Sequence, residues 1–262
     1  MKQYIFLLFA AGILMTGCEK VVDIDLNSAK PEYAIEGTVF GGTDTVKVNV
    51  AKTTDYYGKA PQEQLSNAIV TLSDNAGNST TIPNVAPGSY QLTGFNGVPG
   101  RTYYLNVKVD GKEFTATSTM PAPVTLDSIS KEFKSADFRK EGYEIAANFM
   151  DPMTDKNYYR LVYVINDTLQ NKPEDLYIMN DKFNNGKKIK ADLFRRFEAG
   201  DKIEFELRTM DEPVYNFFFS LQDMLNNQNG PAPANPNTNM TGGALGYFAA
   251  MTRSKKQILV TE

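Results

Sequence analysis

Apolar residues recur at every second position in stretch after stretch of this chain, a period that admits strands and excludes helices over most of its length. In "TVKVNVAK" Val46, Val48 and Val50 point one way while Lys47 and Asn49 point the other, because neighbouring strand residues face opposite sides of a sheet. "AIVTLSD" puts Val70 and Leu72 on one face. In "TYYLNVKVDGKEFTATS" two alternating runs flank Asp110-Gly111, the kind of two-residue loop that closes a type I′ hairpin. There Leu105, Val107 and Val109 make one face, which Phe114 and Ala116 continue. With turns at Gly41-Gly42 and at "DNAGN" (Asp74 to Asn78), the spacing predicts about six or seven short strands between Glu32 and Met120, the count of a small Ig-like β-sandwich.

"MPAPV" (Met120 to Val124) interrupts the pattern. Two prolines within three residues cannot sit in a central strand, so a domain boundary is expected here. Alternation then resumes in "YEIAANF", with Ile145, Ala147 and Phe149 on one face. It continues in "YYRLVYVIN", with Tyr159, Leu161, Tyr163 and Ile165 set against Arg160 and Val162, and in "KIEFELRTM", with Ile203, Phe205 and Leu207 set against Glu204, Glu206 and Arg208. One segment breaks the period. "PVYNFFFSLQDMLNNQ" carries Val214, Phe217, Phe218, Leu221 and Leu225 at steps of three and four, which predicts an amphipathic helix near 213–226 with Pro213 in its first turn. A shorter helical turn is expected at "ADLFRRF", a polar loop at Asn226 to Asn239, and closing strands at "ALGYFAAM" and "KQILV". The expected chain is therefore mainly β: a sandwich at 32–121, then a second β-rich domain at 122–262 with one helix.

The leading end reads differently. Lys2 precedes an apolar run of twelve residues, Tyr4 to Met15, too short for the roughly 20 residues of a spanning helix but right for the core of a secretory signal. "LMTGC" then closes on Cys18, and this sequence resembles a bacterial lipobox, with Met15 where the consensus has leucine. The expectation is a signal at 1–17, lipidation with palmitate-type acyl chains at Cys18, and a tether at 18–31. Two or more buried chains, at about 0.8 kcal/mol per methylene, hold a protein on a membrane durably.

Residue types that are missing narrow the chemistry. The chain has no histidine and one cysteine, so imidazole-based triads and His/Cys zinc sites are excluded, and no cofactor or metal is expected. No basic stripe stands out at a formal charge of −4, which argues against nucleic acid as a partner. Carboxylates are the remaining acid–base groups, and Glu144, Asp151, Glu204 and Glu206 lie in or near strands; Glu204 and Glu206 share the solvent face of theirs, where charge is ordinary. The reading is not an enzyme. "TGGALG" lacks the Gly-Lys-Ser/Thr end of a phosphate loop, so its glycines are expected to let an aromatic strand pack closely. Of the paired tyrosines, those in strands should each place one ring in a core. Tyr56 and Tyr57 fall instead in the polar loop "TTDYYGKAPQEQ", where exposed rings serve as ligand contacts.

"TNMTGGALGYFAAM" and the upstream "GDKIEFELRTMDEPVYNFFFSL" resemble the Bacteroidota outer-membrane lipoprotein family called domain of unknown function 4249. "SNAIVTLSD", "PGSYQLTG", "GRTYYLNVKV", "ATSTMPAPVTLDSI" and "DPMTDKNYYR" add to the resemblance. It implies a prealbumin-like first sandwich, a lipid anchor in the outer membrane facing the periplasm or the exterior, and a TonB-dependent receptor as partner. It implies no catalytic residues. The expected function is that of a lipid-anchored, non-catalytic accessory or binding module. A fimbrial-type or adhesive surface component is the alternative, and a carbohydrate-active enzyme built on a carboxylate pair is the third reading.

Overall fold

The computed structural model describes residues 31–54, 61–153, 156–226 and 235–262; Cys18, Tyr56 and Tyr57 lie outside them, as do the expected signal and nearly all of the tether. Before Met120 the strands are β1 (Tyr33–Phe40), β2 (Gly42–Lys52), β3 (Glu63–Gln64), β4 (Ile69–Asp74), β5 (Ser79–Ile82), β6 (Asn84–Ala86), β7 (Ser89–Gly97), β8 (Thr102–Val109) and β9 (Lys112–Thr119). The excess over the expected number comes from β3, β5 and β6, of two, four and three residues, too short for alternation to register. Then follow β10 (Leu126–Lys134), β11 (Gly142–Met150), β12 (Tyr158–Ile165), β13 (Thr168–Leu169), β14 (Tyr177–Asn180), β15 (Lys188–Asp192), β16 (Lys202–Met210), helix α1 (Glu212–Asn226) and β17 (Leu245–Leu259). The chain is mainly β, with its strands in three sheets among the described residues.

A large sheet runs β13-β12-β16-β17-β1-β2-β7-β6, with β14 also on β12 and β3 on β2. At one end it shares a core with the sheet β5-β4-β8-β9, where Ile35, Val48, Val70, Leu105 and Phe114 are buried together. At the other it shares a core with β10-β11-β15 through Leu126, Ile145, Phe149, Tyr159, Leu161 and Phe205. Each of these residues belongs to the apolar register of its strand, so alternation selects the buried face. Full burial of such a side chain contributes about 1.5–3 kcal/mol.

The proline-rich break at Met120–Val124 separates these two cores but not the sheets. β17 is one strand of 15 residues, where two short ones were expected, and it serves both halves. Leu245 to Met251 run parallel to Ala34 to Phe40 of β1, and Thr252 to Leu259 run antiparallel to β16. Phe248 and Ala250 enter the first core, Val260 just beyond the strand enters the second, and Ala249 and Met251 face the helix. The segment 122–262 therefore completes the core of the segment before it. Parallel pairing of the first and last strands cannot be made by a hairpin and needs the whole intervening chain.

Local chemistry sets the turns. Asp110 and Gly111 have φ of 51° and 74°, the type I′ geometry expected between β8 and β9. Asp110 also accepts hydrogen bonds from Lys52 Nζ at 2.8 Å, Asn67 Nδ2 at 3.0 Å and Tyr33 Oη at 3.2 Å, so this turn fastens three neighbouring segments. The helical turn expected at "ADLFRRF" is absent. Ala191 and Asp192 end β15, and Phe197 exchanges both backbone hydrogen bonds with Tyr143, at 2.8 and 2.9 Å. The three-residue spacing of apolar groups there yields to sheet pairing, which satisfies the backbone and buries Phe197.

Candidate functional site

Helix α1 lies on the face of the large sheet opposite the second core. Asp211 starts it: its Oδ1 accepts Val214 N–H at 3.3 Å, capping the first turn. Oδ2 accepts Thr119 N–H at 2.7 Å and Ser118 Oγ–H at 2.9 Å, tying the helix to β9. Burial raises the pKa of Asp211 against these hydrogen bonds. Val214, Phe217 and Phe218 then pack on Met210, Ala249 and Met251, with Tyr247 edge-on to Phe218 at 5.0 Å between ring centres.

The sheet face beside this contact is charged. Arg160 of β12 stands opposite Arg208 of β16, which stands opposite Arg253 of β17. Three like charges in one row are destabilising unless acids intervene. Glu206 supplies one: its carboxylate meets Arg208 Nε at 2.6 Å, Lys255 Nζ at 3.0 Å and Arg253 at 4.0 Å. Burial acts to raise the pKa of Glu206, but Arg208 and Lys255 overcome it and hold the group below its ordinary value. Arg253 pairs further with Asp44. Glu206 is therefore not the solvated residue that its place in the strand suggested. It lies on the predicted face but is buried at 7% exposure, because its cationic neighbours and their stems cover it.

The other carboxylates singled out by sequence are also engaged. Glu204 pairs with Lys255 at 3.2 Å. Glu144 pairs with Arg139 and Arg196. Asp151, buried beneath β12, accepts Tyr159 Oη–H at 2.5 Å and Gly186 N–H at 3.0 Å. Among the described residues no group of three or more acidic, histidine or cysteine side chains is placed to hold a metal ion. Within the strand tyrosine pairs, Tyr103 and Tyr159 are core, while Tyr104 is exposed and Tyr158 turns to the opposite face of its sheet, half-buried against α1, as alternation requires.

Two clefts flank α1. The larger, about 510 Å³, is lined by Lys156, Tyr158, Asn180, Asp181, Lys182, Asn185, Glu212, Tyr215 and Asn216. The Tyr158 and Tyr215 rings lie 5.0 Å apart, and Asn180 Nδ2 donates to Tyr215 Oη at 2.9 Å. Burial first, and then the hydrogen bond to the Glu212 carboxylate, push the Tyr158 hydroxyl up to about 12, so it remains a donor at neutral pH. Aromatic faces, carboxamides and charges of both signs equip this cleft to stack on and hydrogen-bond a polar ligand.

The smaller cleft, about 270 Å³, lies toward the other end of α1. Phe218, Leu221, Leu225, Leu176 and Pro173 form its apolar walls, and Arg160, Gln170, Asn171, Lys172 and Asp175 its polar lining. Arg160 rests on the Phe218 ring, 4.4 Å from its centre. Sequence reasoning missed Tyr158, Tyr215 and Arg160 as site residues. The signal was present in two parts: alternation put Tyr158 and Arg160 on the face away from the core, and an amphipathic helix requires a sheet face to cover.

A family model described as "Domain of unknown function (DUF4249)" matches residues 19–257. No curated protein matches the chain. Among solved structures, a two fibronectin type-III domain segment from chicken tenascin is similar at 14% identity, over 69% of this chain and 91% of that one, with a TM-score of 0.22.

Proposed function

The chain belongs to the DUF4249 family, and from that premise we propose that it works as a lipid-anchored, non-catalytic binding module of the outer membrane, held beside a TonB-dependent transporter. The observation that carries the binding role is the cleft of about 510 Å³ beside α1, where Tyr158, Tyr215, Asn180 and Glu212 present a stacking surface ringed by donors and acceptors. The engagement of Glu144, Asp151, Glu204 and Glu206 by cations or hydrogen-bond donors supports a role without catalysis. The anchor rests on the apolar run Tyr4 to Met15 and on Cys18 behind it. No helix among the described residues is long and apolar enough to cross a membrane. The transporter partnership rests on the family resemblance.

The test is affinity purification of the full chain in mild detergent, with mass spectrometry of what accompanies it. A large β-barrel receptor is expected with the wild-type protein and is expected to be lost with Cys18→Ala, whose protein should also leave the membrane fraction. Wild-type protein emerging alone refutes the partnership. Heat-resistant assemblies of high mass would favour an adhesive or fimbrial role instead.

A further inference from the structure

Arg160 differs from the other arginines of the described chain. Arg101, Arg139, Arg195, Arg196, Arg208 and Arg253 each contact a carboxylate, whereas Arg160 has no ion pair and no hydrogen bond, only the ring of Phe218. Burial first, then the neighbouring Arg208, disfavour its charge more than Tyr247, Glu206 and Glu36 favour it, yet a guanidinium stays protonated in proteins. A half-buried cation with five unused N–H donors costs free energy unless an anion joins it.

The adjoining cleft has the complementary character. Its one acid, Asp175, is already committed: Oδ1 accepts Tyr163 Oη–H at 2.6 Å and Arg195 at 3.0 Å, and Oδ2 accepts Lys172 N–H at 3.1 Å. The remaining charges on the lining, Arg160 and Lys172, are positive, and the walls of Phe218, Leu221 and Leu225 are apolar. The volume of about 270 Å³ falls just under the roughly 300–1,000 Å³ of drug-sized ligand sites, so the occupant is small. We propose that this cleft binds a small organic monocarboxylate, whose carboxylate pairs with the Arg160 guanidinium and whose short alkyl tail lies against Phe218, Leu221 and Leu225. A planar guanidinium matches a carboxylate with two parallel hydrogen bonds, and the hydrocarbon wall discriminates against an inorganic anion. The site is separate from the polar cleft assigned above and stands or falls without it.

Calorimetric titration of the full-length protein in mild detergent, with hexanoate as probe, tests this. Hexan-1-ol serves as the ligand without charge and acetate as the ligand without tail. Hexanoate should bind saturably and both controls much more weakly. Arg160→Gln should weaken hexanoate about 10- to 100-fold, the equivalent of one charged hydrogen-bonded contact. Leu225→Glu leaves Arg160 in place and sets a carboxylate on the cleft wall; it should weaken hexanoate similarly, which keeps the test decisive if Arg160→Gln does not fold. Absence of hexanoate binding, equal binding of hexan-1-ol, or unchanged affinity in a folded Arg160→Gln or Leu225→Glu protein would overturn the proposal.

Discussion

Alanine at Gly246 should destabilise the protein by about 3 kcal/mol, and the figure follows from two separate terms. Gly246 has φ of +97°, and a Cβ built there would lie 2.1 Å from the carbonyl oxygen of Ile35, its partner across the β1–β17 pairing. The left-handed backbone alone costs an L-residue about 1–2 kcal/mol. The overlap involves backbone on both sides, so no rotamer relieves it. The strands must part locally, at about 1 kcal/mol for each hydrogen bond weakened. Gly243→Ala is the control: its φ is +81°, but nothing lies within 4 Å of the added atom, so only the conformational term of about 1 kcal/mol applies. Urea unfolding followed by far-UV circular dichroism and tyrosine fluorescence suits a chain without tryptophan. With a slope of roughly 2–3 kcal/mol/M, the midpoint should fall by about 1 M or more for Gly246→Ala and by less than half of that for Gly243→Ala. Thermal midpoints should drop by roughly 6–12 °C and 2–4 °C respectively. A Gly246→Ala protein within about 0.5 kcal/mol of wild type, or no worse than Gly243→Ala, would refute the claim that close approach of β17 to β1 is what demands glycine there.

Three further outcomes are expected. Glu144→Ala should cost about 2–3 kcal/mol in the same unfolding measurement, because the Arg196 side chain is only 3% exposed; Asp137, 3.2 Å away, keeps the loss below the roughly 3–5 kcal/mol of a buried charge left with no partner. Tyr159→Phe should cost about 1–3 kcal/mol, since buried Asp151 loses its 2.5 Å donor, and a change under about 0.5 kcal/mol would show that the bond contributes nothing net. Lys52 first, then Asn67, lower Asp110 from 3.8 to about 2, so its contribution is fully present above the unfolded value and is lost as pH falls through the folded one. Asp110→Asn should flatten the decline of the urea midpoint between about pH 4 and pH 2, and an unchanged acid limb would sink this assignment.

Legibility varied with the range of the interaction. The hairpin at Asp110-Gly111, the buried registers of β2, β4, β8, β11, β12 and β16, and helix α1 could be read directly, because each depends on residues a few positions apart. The reading of "ADLFRRF" as helical failed because its apolar spacing is compatible with a turn, while its backbone partner, Tyr143, is about 50 residues away in sequence. Glu206 looked solvated for the same reason: strand alternation identifies the face a residue points to, not what lies on that face. The candidate site followed this pattern. Tyr158 and Arg160 were visible as outward-facing residues, and Phe218, Leu221 and Leu225 as an apolar helix stripe, but nothing local joined them into clefts.

The sequence by itself determined the period of each element, hence the mainly β class, the residues that enter a core, the turn chemistry and the exclusion of imidazole and His/Cys metal chemistry. It also carried the apolar run Tyr4 to Met15 and Cys18, on which the proposed anchoring rests. Only the tertiary structure decided that the last strand pairs with the first and so joins two cores through one sheet. It decided equally that, in a row of three arginines, Arg160 lies against Phe218 of α1 with no ion pair while Arg208 and Arg253 lie over Phe40. Periodicity is a property of neighbours along the chain. Charge compensation and close backbone approach are properties of neighbours in space, which are fixed only when distant segments meet.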